Sequence, residues 1–242
     1  MYRLVLVSLL LVGCVDEGDE GMTVINNSAS DTCTFSGAKD QAFRSHGTIW
    51  TESPAGYVFT PLVESRLTQL EGTDEAQRTI SITGANVSLE VKSATIENAD
   101  GSFSSTTVPL GPTEAQFSSL FSASLPPSGT VNVDFELIPR STLRTIAMTA
   151  GTNILEAEVL ATVRILGKFN GDDIESVPFQ FPVTVCTDCV VNVTGPCTEF
   201  TGTPRSSGNA CNPFQDGIID CCQSDARGLV CPAEAEEPPM TP

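Results

Sequence analysis

From about residue 33 to residue 193 apolar and polar side chains alternate with a period of two, the pattern of strands with one buried and one wet face. In the run 87–92, Val87, Leu89 and Val91 alternate with Ser88, Glu90 and Lys92. The stretch 131–137 repeats it, with Val131, Val133, Phe135 and Leu137 against Asn132, Asp134 and Glu136. The clearest element is a hairpin. Its first strand, 156–169, puts Ala157, Val159, Ala161, Val163, Ile165 and Phe169 on one face and Glu156, Glu158, Thr162, Arg164 and Lys168 on the other. Asn170-Gly171 follows, the dipeptide that most readily supplies two positive φ angles for a tight turn. The return strand directs Val177, Phe179, Phe181, Val183 and Val185 inward. Pro178 and Pro182 share the opposite parity and lack an N–H, which predicts an edge strand with no ladder partner on that side.

Weaker strand patterns lie at 57–67, 79–83, 102–108 and 114–125, and the stretch after Pro139 predicts a short helix or a crossover. Seven or eight strands, frequent Gly and Pro punctuation and little helical periodicity predict an all-β fold. The expected architecture is a two-layer antiparallel β-sandwich, loosely immunoglobulin-like, with a small disulfide-rich C-terminal appendage. The sandwich is assigned to 33–193. Residues 194–232 are rich in Cys, Gly, Pro and Ser and short of aliphatics, so they are expected to build no core of their own. Residues 233–242 read as a disordered tail, and 14–32 as a flexible acidic tether.

The opening differs from everything downstream. One cation, Arg3, precedes the apolar run 4–12, which is shorter than the ~20 residues needed to span a bilayer. The block Leu11-Val12-Gly13-Cys14 resembles the lipobox of bacterial lipoproteins. That resemblance implies that residues 1–13 are a signal peptide cleaved after Gly13, with diacylglycerol attached to Cys14. More than one acyl chain gives durable anchoring, so the membrane is an expected partner through the lipid and not through a span. Val15, in place of Asp, implies the outer membrane by resemblance to the sorting pattern of diderm bacteria, leaving its face open.

The chain carries 12 basic and 30 acidic residues, a net charge of −18. Loss of Arg3 with the signal makes it −19. Such a surface is a poor match for nucleic acid or anionic head groups. Trp50 and Tyr57 are the only amphipathic rings after the signal, against twelve Phe in all, which disfavours a sugar-stacking surface.

Candidate chemistry is sparse. His46 is the sole histidine, so there is no multi-histidine metal site, and any Ser-His or Cys-His pair would run through it. No G-x-S-x-G elbow, phosphate-binding loop or HExxH helix occurs. Asp172 and Asp173 follow the hairpin turn and read as solvated. NPFQDGIID echoes part of a calcium loop through Asp216, Gly217 and Asp220, but Phe214 occupies a ligand position and Gln223 stands where a bidentate Glu belongs. Neither a metal nor a cofactor is expected.

Nine cysteines remain to be placed. With Cys14 lipidated, eight are left: Cys33, Cys186, Cys189, Cys197, Cys211, Cys221, Cys222 and Cys231. Cys186 and Cys189 form a CxxC, but it ends a strand instead of opening a thiol-activating helix, and zinc would need reduced thiolates outside the cytoplasm. An even count in an exported chain predicts four disulfides. Seven of the eight lie between 186 and 231, an odd number, so Cys33 is expected to join the C-terminal cluster. Adjacent Cys221 and Cys222 should bond to different partners.

The runs VPFQFPVTVCTDCVVNV, GPC, CNPFQDGIIDCC and LVCP together resemble a C-terminal pattern of uncharacterised myxobacterial outer-membrane lipoproteins, a β-rich domain followed by a Cys-rich knot. The resemblance is most specific over 177–232 and implies no activity. The expectation is an envelope-tethered, non-enzymatic binding or scaffolding module with an envelope protein as partner, contacted through the proline-bearing edge strand and loops. The alternative is a carboxylate-dependent hydrolase of an envelope or extracellular substrate, which would need two acids converging in a cleft.

Overall fold

A computed structural model describes residues 21–69, 72, 78–149, 154–187, 189–197, 208–226 and 228–231. Residues 1–13, read above as a signal peptide, Cys14, and residues 233–242, read as a disordered tail, lie outside the described residues. In chain order the strands begin with β1 (Met22–Ser28), β2 (Phe43–Arg44), β3 (Gly47–Trp50), β4 (Tyr57–Phe59), β5 (Pro61–Ser65), β6 (Ile80–Glu97) and β7 (Phe103–Thr106). A single turn, α1 (Pro112–Ala115), leads into β8 (Gln116–Leu125), β9 (Thr130–Asn132) and β10 (Phe135–Ile138). Then come α2 (Arg140–Thr149), β11 (Ile154–Phe169), β12 (Asp172–Glu175), β13 (Phe179–Cys186), β14 (Val191–Pro196), β15 (Ile219–Ser224) and β16 (Gly228–Val230).

The fold is a two-layer, largely antiparallel β-sandwich with a disulfide-rich appendage. One layer is a seven-stranded sheet ordered β3-β13-β11-β6-β7, with β8 also on β6 and β12 on β11. The facing layer combines β2-β1-β5-β9 with the pair β10-β4. Between them the inner faces interdigitate. Ala157, Val159, Ala161, Val163 and Ile165 of β11 are buried, as alternation requires, and the rings of Phe59 and Phe181 meet across the layers at 5.1 Å.

The hairpin turn sits at Asn170 and Gly171, with φ of 53° and 95°, the twist that matches the flanking strands. The return path is broken. Asp172–Glu175 pair with 166–169, and then Ser176 interrupts the strand, its hydroxyl accepting from the Ile165 N–H at 2.9 Å. This local detour leaves Val177 37% exposed, correcting the expectation that it points inward. Asp172 and Asp173 are exposed, and Asp173 meets Lys168 at 2.9 Å.

The edge-strand expectation fails over half of β13. The Thr51 N–H donates to the Cys186 carbonyl at 2.9 Å, so even-numbered residues of β13, Pro182 among them, face β3. Parallel pairing with β3 begins at Val183, one residue beyond the last proline, and runs to Cys186. The prolines therefore set where pairing starts and do not exclude it.

Four further expectations change. The tether does not extend through residue 32, because Met22 and Val24 are buried in β1 and paired with β5. Polar Asn27 hid this strand: it is 2% exposed, and its side-chain oxygen accepts from the Thr60 N–H at 3.0 Å. The stretch 131–137 is not one strand; it splits at Val133-Asp134 into β9 and β10, which serve different sheets. Finally, β14 crosses the expected boundary at 193, and the appendage has a core after all. Phe214, Ile219, Cys221 and Cys231 cluster beneath the β14-β15-β16 sheet, with Trp50 of the sandwich packed against them.

Candidate functional site

All eight cysteines from Cys33 onward are paired. The bridges are Cys33–Cys211, Cys186–Cys189, Cys197–Cys222 and Cys221–Cys231, with Cα separations of 4.9, 5.8, 4.9 and 4.2 Å. Cys33 thus ties the sandwich to the appendage across 178 residues, and adjacent Cys221 and Cys222 take different partners.

The densest polar constellation lies where the appendage enters the sandwich. Residues 212–216 thread between β3 and β4. The Trp50 N–H donates to the Phe214 carbonyl at 3.0 Å, and the Asp216 N–H donates to the Thr48 carbonyl at 2.9 Å. Gln215 acts as a surrogate strand: its side chain accepts from the Val58 N–H at 2.8 Å and donates to the Val58 carbonyl at 2.9 Å. Asn212 donates to the Gly56 carbonyl at 2.9 Å. Edge groups of β4 that would otherwise be buried and unmet are satisfied in this way.

Asp216 is the centre of this seam. Its carboxylate accepts from the Thr48 N–H and from the Tyr57 hydroxyl, both at 2.8 Å, with the Arg44 Nε at 3.5 Å. Burial pushes the Asp216 carboxyl up from its ordinary value, while the Thr48, Tyr57 and Arg44 contacts pull it back. Burial, and then the neighbouring Asp216 charge, raise the Tyr57 phenol well above its usual range. Gly47 is required here, since a Cβ at that position would fall 2.5 Å from the Tyr57 hydroxyl oxygen. The adjoining hollow has a volume of only about 10 Å³, the space of one water at most. This geometry fastens one part of the chain to another and leaves no room for a substrate. Asp220 is directed elsewhere, accepting from Asn192 at 2.6 Å, so the acids of the calcium-like motif do not converge. Sequence alone places Asp216 only in an incomplete calcium loop, because its partners Thr48 and Tyr57 lie 168 and 159 residues away.

His46 sits on the outer face, its Nε2 2.6 Å from the Thr184 hydroxyl, which in turn donates to Glu158 at 2.7 Å. Glu158 thus contacts the hydroxyl and not the far nitrogen of the ring, so the wiring of a nucleophile-activating triad is missing. Two wider hollows are open grooves. One, about 400 Å³, lies over β6, β8 and β11 and is lined by Asn86, Ser88, Gln116, Ser118 and Arg164, with no acid. The other, about 470 Å³, lies between α2 and the β3–β4 connection and has one acid, Glu52. Both amphipathic rings are engaged: Tyr57 is fully buried and Trp50 stacks on Phe214 at 5.3 Å.

Fold and seam together define a disulfide-stapled β-sandwich whose Cys-rich segment is built into the body. No family model matches the chain, and no curated protein matches its sequence significantly.

Proposed function

We propose that the chain is an envelope-tethered lipoprotein of the outer membrane or cell surface, anchored through Cys14, that binds or scaffolds another envelope protein. Cysteine usage supports the address. Eight of the nine cysteines pair with one another, a state that persists in oxidising compartments, and the ninth is the lipobox residue. The resemblance of 177–232 to myxobacterial outer-membrane lipoproteins agrees with this address.

The observation that carries the binding role is strand β8. It runs for ten residues, QFSSLFSASL, with no charge and no proline, and among the described residues nothing pairs with its outer edge. Free edges of this length are normally blunted by Lys, Pro or a bulge. Here a bulge opposite Thr83 leaves 116–120 regular, and Leu120 is 86% exposed. An extended strand from a partner adds naturally to such an edge.

The fold also has a direction. Gly21, where the chain enters, lies beside Ile174 at the hairpin end. The seam lies at the other end of β11, near Glu156, which faces Cys186. Twelve residues of strand separate Glu156 from Lys168, about 40 Å. A lipid on Cys14 would place the appendage on the side away from the membrane.

The test is affinity capture of the intact lipoprotein from its own envelope, run beside Ser118→Lys/Leu120→Lys. The proposal predicts an envelope protein retained by the parent and lost with the double substitution; identical captures would overturn it.

A further inference from the structure

α2 carries Arg140, Arg144 and Met148 along one exposed stripe, spaced one turn apart. They form one wall of the 470 Å³ groove, and Thr51, Glu52 and Ser53 form the other. Lys39, Arg44, Lys92, Arg164 and Lys168 each have a carboxylate within 4 Å. Among the described residues Arg66, Arg78, Arg140 and Arg144 have none, but only Arg140 and Arg144 stand together on one groove wall in this strongly acidic chain. Ser53 adds a second unmet group: it is 2% exposed and its hydroxyl has no hydrogen-bond partner. Met148 is 80% exposed beside the arginines, an adaptable apolar surface.

We propose that this groove binds an extended acidic segment of the pattern Glu-x-Glu, and that its occupant is the chain's own stretch 232–237. That stretch reads Pro-Ala-Glu-Ala-Glu-Glu, with Glu234 and Glu236 two residues apart. Alternate residues of an extended segment lie about 6.6 Å apart. Side chains one helical turn apart are separated by about 6 Å, so each arginine meets one carboxylate in its planar fork. Glu52 repels carboxylates from the far wall and so directs them to α2. The segment also starts in the right place. Cys231 belongs to the cluster that includes Trp50, and the next three residues after Trp50 line the groove. Three to six extended residues span roughly 10 to 20 Å, enough to reach α2 from there. Because the contact is intramolecular, the segment acts at an effective concentration of about millimolar, so modest ion pairs suffice. The inference is independent of the anchor at Cys14.

Backbone ¹⁵N relaxation on the oxidised full chain carrying Cys14→Ser tests it. Order parameters at Ala233, Ala235 and Glu236 should be near about 0.85 and fall below about 0.6 in Arg140→Gln/Arg144→Gln. The same fall is expected in Glu234→Gln/Glu236→Gln, and in the parent at about 1 M salt, where screening is strong. Unchanged amide shifts along β11 would show that each variant is folded. A synthetic AEAEEPPM peptide should bind a chain truncated after Pro232 and not the parent. Order parameters already low in the parent, or equal in all variants, overturn the proposal. So does peptide binding that is as tight to the parent as to the truncated chain.

Discussion

The Tyr57 hydroxyl donates to the Asp216 carboxylate at 2.8 Å, joining the sandwich core to the Cys-rich segment across 159 residues of sequence. A charge held this deep is tolerable only because donors surround it. Tyr57→Phe removes one of them at little change in volume and should cost about 2 kcal/mol, the usual value for a hydrogen bond to a charged group. Chemical denaturation of the two proteins side by side would show it. A cost near zero would mean that water or Arg44 replaces the hydroxyl.

The raised Asp216 pKa also has a sign. Between its unfolded and folded values the native state holds the extra proton, so stability contributed by this group falls as pH rises through that window. Asp216→Asn keeps an acceptor for the Thr48 N–H and has no proton to lose. Denaturation midpoints taken just above the normal carboxylate range should therefore fall with pH more steeply in the parent than in Asp216→Asn. Parallel curves would contradict the burial of this charge.

Val163 is fully buried in β11, whereas Glu158 on the same strand faces out. Val163→Asp should prevent folding, because it buries an unpaired charge. Glu158→Lys removes the acceptor of the Thr184 hydroxyl and the carboxylate 3.9 Å from the His46 ring, both at the surface, and should cost about 1 kcal/mol. Far-UV circular dichroism and urea titration distinguish the two, and equal effects would show that the register of β11 is wrong.

The contrast between these elements shows what could be read in advance. The hairpin was legible because period-two alternation, Asn170-Gly171 and the strand length agree. Four disulfides, with Cys33 among the C-terminal set, follow from parity. The strand β1 was not legible, because four of its seven residues are polar and Asn27 is buried by virtue of its bonds to Thr60 and Tyr57. Nor was the seam: Gln215 and Asp216 work through partners more than 150 residues away, Val58 and Tyr57, and no local pattern encodes such a pairing. The edge position failed for a similar reason. Proline parity identifies the unpaired side of a strand, yet the short β3 docks immediately beyond Pro182.

Removing the Cys33–Cys211 bridge opens a closure of 178 residues. Replacing both cysteines with Ser should cost up to about 5 kcal/mol if the effect is entropic. The appendage should still be held by the Gln215 and Asp216 contacts, so a reduced midpoint with a single cooperative transition is expected. Two separate transitions would show that the seam is too weak to couple the parts.

The measurement closest to the central claim is the intact mass of protein extracted from membranes, taken without reduction and after thiol alkylation. The expected result is a chain that begins at Cys14, is heavier than its polypeptide by a diacylglyceryl group, and takes up no alkylating reagent because every other cysteine is paired. A soluble chain with an unmodified Cys14, or one that alkylates at Cys33 or in the C-terminal cluster, would contradict it.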